Sequence, residues 1–171
     1  MNDILEVRNV TKRFGMGGVL GRNQITAVNQ VSFTIEAEKP EIFTIVGESG
    51  SGKTTLARMI LRLETPSEGE ILFHGNRVDP RASRAERLKF MHEVQPVFQN
   101  PFEAFNPLKE VDRYLISTAR TFLKLTKQSD IEKAMDDALQ KVGLSYAEVK
   151  GRFAHELSGG QLQRVSIARA L

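Results

Sequence analysis

The stretch "EIFTIVGESGSGKTTLARMIL", residues 41–61, constrains this chain more than any other. Gly47, Gly52, Lys53 and Thr54 hold the defining positions of G-x-x-x-x-G-K-[ST], the pattern of a loop that cradles phosphates. A loop of this kind leaves a buried strand and opens a helix. Ile42, Phe43, Ile45 and Val46 leave little room for a wet face, so residues 41–46 are expected to form a strand covered on both sides, as in a parallel sheet. After the loop, Leu56, Ile60 and Leu63 recur at helical spacing until "TPSEG" (65–69) ends the helix.

The glycines follow from electrostatics. A triphosphate carries several negative charges, and backbone N–H groups surround it only where no Cβ intrudes. Gly47, Gly50 and Gly52 give that clearance and permit positive φ, while Glu48, Ser49, Ser51 and Thr55 complete the ring of amides. The helix N-terminus adds unpaired donors and a partial positive charge. Lys53 reaches the β- and γ-phosphates, and the Thr54 hydroxyl ligates Mg²⁺. The alternative is a glycine-rich turn with a surface lysine.

Elsewhere the pattern is mixed. "ILEVRNV" (4–10), "VSFTIEA" (31–37), "EILFHG" (70–75) and "VQPVFQ" (94–99) are expected strands, and "GMGGVLG" (15–21) is an expected loop. From Pro107 to Tyr146 the chain turns helical: Val111, Leu115, Ala119 and Phe122 make one stripe. A second helix is expected to open on a Ser129–Glu132 capping box, to carry Ile131, Met135, Ala138, Leu139 and Val142, and to stop at Gly143. The division read from this is a β part plus phosphate-loop α/β core over 1–106, a helical subdomain over 107–158, and a terminal helix over 159–171. Cysteine is absent, which excludes disulfides and thiolate metal sites, and the net charge is only +3. The basic run "RASRAERLK" (81–89) reads as a solvated helix face, and no nucleic acid is expected as a partner. His74, His92 and His155 show no ligand spacing.

"LSGGQLQRVSIARAL" (157–171) is the second informative stretch. Ser158 and Gln161 fit a capping box opening a helix. Gly159 and Gly160 are poor helix formers, each costing about 1 kcal/mol against alanine, and their bare amides also suit an anion.

Together these motifs resemble the nucleotide-binding subunit of ATP-binding cassette (ABC) transporters. "GESGSGKTT" looks like that family's Walker A loop and "LSGGQLQRVSIARAL" like its signature motif. "VFQNPFEAFNP" (97–107) resembles the Q-loop of the importers of di- and oligopeptides and of nickel. The resemblance implies an ABC-type P-loop NTPase fold with an N-terminal antiparallel β part, an incomplete parallel core sheet and a helical subdomain. It implies that Phe14 stacks on adenine, that Val28 touches the base, and that Gln99 meets Mg²⁺ or the attacking water. It implies that Ser158, Gly159, Gly160 and Gln161 bind the γ-phosphate of ATP held by a second ABC ATPase subunit, in a homo- or heterodimer. It places such a subunit in the cytoplasm, peripheral on the membrane and docked on an integral-membrane permease. A soluble ABC ATPase of translation or DNA repair, or a non-catalytic ATP-binding fragment, are the alternatives.

The family's Asp-Glu pair after the signature helix and its later histidine are not among these 171 residues. The reading is therefore a chain truncated after the signature, which binds ATP with little or no hydrolysis and leaves the 41–46 strand with an unpaired edge.

Overall fold

The computed structural model describes residues 3–15, 24–38 and 40–171. The loop expected at 15–21 falls outside them except for Gly15. The chain divides into two compact units, Met1–Arg87 and Leu88–Leu171.

The first unit is built on four antiparallel strands in the order β2-β1-β3-β4. They are β1 (Asp3–Gly15), β2 (Gln24–Glu36), β3 (Glu68–Phe73) and β4 (Asn76–Arg77). β1 is central: Val7 faces Phe33 of β2 on one side and Ile71 of β3 on the other. Alternation puts Leu5 and Val7 inside with Ile71, and each such side chain taken from water contributes about 1.5–3 kcal/mol. The ladder slips between Arg8 and Thr11, where the Thr11 hydroxyl, fully buried, accepts a hydrogen bond from Gln30 N (3.0 Å). The same slip brings Gly69 (φ +78°) against the β1 carbonyls, where a Cβ would lie 2.4 Å from Arg8 O. Both long strands run further than hydrophobic alternation indicated, because pairing with a partner continues into the polar ends.

Residues 41–46 are not a strand. Among the described residues every strand pairing is antiparallel and none involves this segment. Ile42 is 96% and Val46 84% exposed, while Phe43 stacks on Phe33 of β2 at 4.7 Å. An apolar run becomes a strand only when a neighbour takes up its N–H and C=O groups, and among the described residues none does so here.

The phosphate loop opens α1 (Lys53–Ile60), which buries Leu56 and Met59. The helix stops short of Leu63, which is exposed. Arg62 takes a left-handed φ of 62°, and Leu63 N bonds Arg58 O (2.8 Å) while Arg62 N bonds Met59 O (3.2 Å). That Schellman closure satisfies the last carbonyls with an arginine where glycine is usual.

The second unit is helical. α2 (Arg84–Glu93) leads into it and buries only Phe90, as a solvated helix should. Residues 94–99, expected as a strand, form none: Val94 N still bonds Phe90 O (2.8 Å), 95–98 have no regular structure, and Gln99 lies in a bend. The core joins α3 (Asp112–Phe122), α4 (Gln128–Gln140), α5 (Tyr146–Val149) and α6 (Gly159–Ala170). Val111, Ile131, Leu139, Val149, Leu162 and Val165 are fully enclosed in one cluster. Phe122, placed by sequence on the same stripe, is half-buried against His92.

α4 starts earlier than the expected capping box. Lys127 is its N-cap, and Glu132 accepts instead from Gln128 Nε2 (2.9 Å) one turn back and from Lys150. Gln128 and Glu132, four apart, are neighbours on one face of the helix, and the carboxylate meets Gln128 there rather than turning back to Ser129. Gly143 ends this region as expected, with φ +71° and a Leu144 N to Leu139 O bond (3.0 Å).

Candidate functional site

The loop at 47–54 has the form that the spacing of its glycines demands. Gly50 (φ +82°) and Gly52 (φ +89°) both adopt left-handed backbone. At Gly50 the space for a Cβ is open, so only the dihedral excludes other residues. At Gly52 a Cβ would stand 2.0 Å from Ala27 O and 3.2 Å from Val28 Cγ2. The loop therefore lies directly on β2, and Val28, 5% exposed, is part of its floor. Ser51 N bonds Glu48 O (3.2 Å), closing the turn.

Gly52 caps α1 with no side chain, and the first turn holds no acidic residue. The first intrahelical donor is Leu56 N, to Gly52 O at 2.9 Å. The amides of Lys53, Thr54 and Thr55 thus lie ahead of the ladder, at the positive end of the helix dipole. Lys53 Nζ folds back on the loop, donating to Gly47 O (2.8 Å), Glu48 O (2.5 Å) and Ser51 Oγ (3.3 Å). Its ammonium is held on the loop by neutral oxygens, which a polyanion outbids. The Thr54 side chain is exposed beside it.

Phe14 lies in the same unit, on β1 opposite Ile25, with 40% of its surface exposed. Lys12 Nζ sits 4.9 Å from its ring centroid. Lys12 escaped the sequence reading; its spacing of two from Phe14 on a strand was the available signal.

The other candidate residues belong to the second unit. Gln99 is exposed, just before Asn100, whose Oδ1 accepts from Phe102 N (3.2 Å) to cap the Pro101–Ala104 turn. Gln163 Nε2 donates to Phe98 O (3.3 Å), joining the segment before Gln99 to α6. Nothing in the sequence signals that contact, since 65 residues separate its ends.

The expected capping box at Ser158 is present. Gln161 N bonds Ser158 Oγ (3.2 Å), and Ser158 N bonds Gln161 Oε1 (3.0 Å). Gly159 and Gly160 are exposed, have ordinary helical φ, and a Cβ on either would meet nothing within 4 Å. Packing therefore does not require glycine there. Gly160→Ala is expected to raise stability in urea denaturation by about 0.4–1 kcal/mol, by reducing unfolded-state freedom, and to leave nucleotide affinity at the Lys53 loop unchanged. A loss of stability would show that the fold needs this glycine.

Among the described residues no group of three or more His, Cys, Asp or Glu is placed to hold a metal ion. His74, His92 and His155 lie against Phe73, Phe122 and Phe153 respectively.

A glycine loop with this geometry and the capped L-S-G-G-Q turn occur in a chain whose residues 28–171 match the family model described as ABC transporter. This chain is a member of the ABC transporter family. AppF of Bacillus subtilis (strain 168), an oligopeptide transport ATP-binding protein, is 40% identical over 171 residues, covering 98% of this chain and 51% of the relative. NikE of Shigella dysenteriae serotype 1 (strain Sd197), a nickel import ATP-binding protein, is 38% identical over 169 residues, covering 98% and 61%. This ABC-family chain spans about half the length of the oligopeptide relatives it matches. Its backbone resembles a dimeric structure of the ATP-binding cassette MJ0796 in a post-hydrolysis state bound to ADP and Pi. The TM-score is 0.78 at 28% identity, covering 98% of this chain and 68% of that one. It also resembles cbiO1 from Clostridium perfringens, part of the ABC transporter complex cbiONQ, with a TM-score of 0.71 at 26% identity over 99% of this chain and 61% of that one. The fold is that of an ABC-type P-loop NTPase.

Proposed function

We propose that this chain is the nucleotide-binding portion of an energy-coupling ATPase subunit of an importer, with peptides as the cargo class. The observation that carries this is the loop at 47–54: two left-handed glycines, three amides ahead of the helix ladder, and an ammonium resting on neutral oxygens of the same loop. Those groups suit the polyphosphate of ATP, and the space a Gly52 Cβ would need is already filled by the strand beneath. The names of the relatives, oligopeptide transport and nickel import ATP-binding proteins, support the importer reading.

In this reading residues 47–55 hold the phosphates in cis, with Phe14 and Val28 at the base. Ser158, Gly159, Gly160 and Gln161 serve ATP on a second ABC ATPase subunit, as the dimeric neighbour suggests. Thr54 is the residue of the first unit that would hold Mg²⁺, which would neutralise charge on the phosphates, and for Gln99 the role at Mg²⁺ or the attacking water rests on the family resemblance alone. The functional division into 1–106, 107–158 and 159–171, docking on a membrane permease and a place at the cytoplasmic face of the membrane belong to the same proposal. Among the described residues no helix is long and apolar enough to cross a membrane. These 171 residues alone are expected to bind ATP and release phosphate slowly or not at all, because the family's Asp-Glu pair is not among them.

Lys53→Ala tests the core of the proposal. Hydrogen bonds to charged groups contribute about 1.5–3 kcal/mol, so MgATP affinity by titration calorimetry should fall roughly tenfold to a hundredfold. Wild-type affinity in that variant would refute the phosphate assignment.

A further inference from the structure

Lys12 stands at a junction in the first unit that phosphate binding by itself leaves unexplained. Its ammonium donates to Glu64 Oε1 (2.7 Å) and to Thr65 O (2.8 Å), and lies over the Phe14 ring at 4.9 Å from the centroid. Only 12% of the Lys12 side chain is exposed, whereas Phe14 is 40% exposed. A lysine in a strand ordinarily sends its charge into water. This one is turned inward and anchored at two oxygens, while the aromatic it covers faces solvent.

Residues 12 and 14 meet on β1 beside a register shift at Lys12, as the 4.9 Å approach of the ammonium to the ring shows. A solvent-facing phenylalanine on a strand has more than one rotamer open to it, and a base that stacks on it must first select one. An immobilised cation on one ring face removes much of that choice and leaves the opposite face for a ligand. We propose that Lys12 is a positioning residue for base recognition: pinned by Glu64 and Thr65, it clamps one face of Phe14 so that the other receives a purine. This rests on the reading of residues 47–54 as the phosphate cradle and of Phe14 as the base shelf.

Two further observations agree. The hydrogen bond from Lys12 is the main reason the Glu64 carboxyl sits below its ordinary range, as a contact made to the charged form requires. Glu64 and Thr65 follow the Schellman turn that closes α1, so the clamp ties the base shelf to the chain leaving the phosphate helix.

The test separates base from phosphate. Calorimetry on the wild-type chain should show MgATP binding more tightly than magnesium tripolyphosphate, which offers only the cradle a ligand. Lys12→Met should weaken MgATP roughly threefold to tenfold, the range of a partly desolvated cation–π contact, with tripolyphosphate affinity unchanged. Lys12→Arg should restore most of the loss. The chain has no tryptophan, so Phe14→Trp places a single indole at the shelf. Its emission should be quenched by MgATP but not by tripolyphosphate, and Lys12→Met should shrink that quench. Should Lys12→Met fail to fold, Glu64→Gln loosens the same anchor and should lower the MgATP-to-tripolyphosphate preference in the same direction. If Phe14→Ala weakens MgATP while Lys12→Met binds it like the wild type, the clamp is refuted and the cradle stands. If the wild type binds neither ligand, the cradle reading fails and the clamp falls with it.

Discussion

Gly52→Ala is expected to abolish useful nucleotide binding and to destabilise the first unit at the same time. A Cβ there would sit 2.0 Å from Ala27 O and 3.1 Å from Ala27 C, contacts that backbone atoms of a paired strand cannot relieve by rotating a side chain. The φ of +89° adds a dihedral penalty that alanine bears and glycine does not. Strain of this kind and overpacking each cost about 1–3 kcal/mol, so a total on the order of 3 kcal/mol is expected in urea denaturation. The loop can escape only by lifting off β2, which moves the amides of Lys53, Thr54 and Thr55 off target. MgATP affinity by calorimetry should therefore fall at least about a hundredfold. Gly50→Ala is the informative companion. Its φ is similarly left-handed at +82°, but its Cβ would meet nothing within 4 Å, so its cost should be only the dihedral one, about 1–2 kcal/mol. Equal damage from both variants would show that the clash with Ala27 is not what matters.

Leu162→Ala carries the second large effect. Leu162 is fully buried in the cluster that joins α3, α4 and α6, one residue beyond the capped turn of Ser158–Gln161. Emptying such a site costs about 2–5 kcal/mol, depending on how far the surroundings collapse. A loss of that size is expected for the transition of the second unit in urea denaturation, with MgATP affinity at the Lys53 loop little changed. The contrast with Gly160→Ala is direct. Two residues apart, one side chain anchors the turn to the core and the other position is bare for a reason that packing does not supply. A Leu162→Ala chain as stable as the wild type would mean that the cluster does not root this helix.

Several elements were legible because their causes are local. A glycine at each left-handed position of the phosphate loop, the Ser158–Gln161 box and the Gly143 stop all depend on residues within one or two turns of chain. So does the stripe of Val111, Leu115 and Ala119, whose burial follows from helical spacing alone. The α4 start was misplaced for an equally local reason: two competing pairs, Ser129–Glu132 and Gln128–Glu132, want the same carboxylate, and spacing does not rank them.

The sequence by itself determined that a turn of left-handed glycines precedes a helix at residue 53 and that a capped, bare-amide helix begins at residue 159. Both are short-range backbone requirements written into glycine, serine and glutamine. Only the tertiary structure decided the fate of "EIFTIV", because hydrophobicity proposes a strand but a hydrogen-bonded neighbour makes one, and among the described strands none lies beside it. It alone also brought Glu64 to Lys12 across 52 residues of sequence, and Phe98 to Gln163 across 65. Contacts at that separation depend on where other elements stop, as α1 does at an arginine in a left-handed turn, and no local pattern records it.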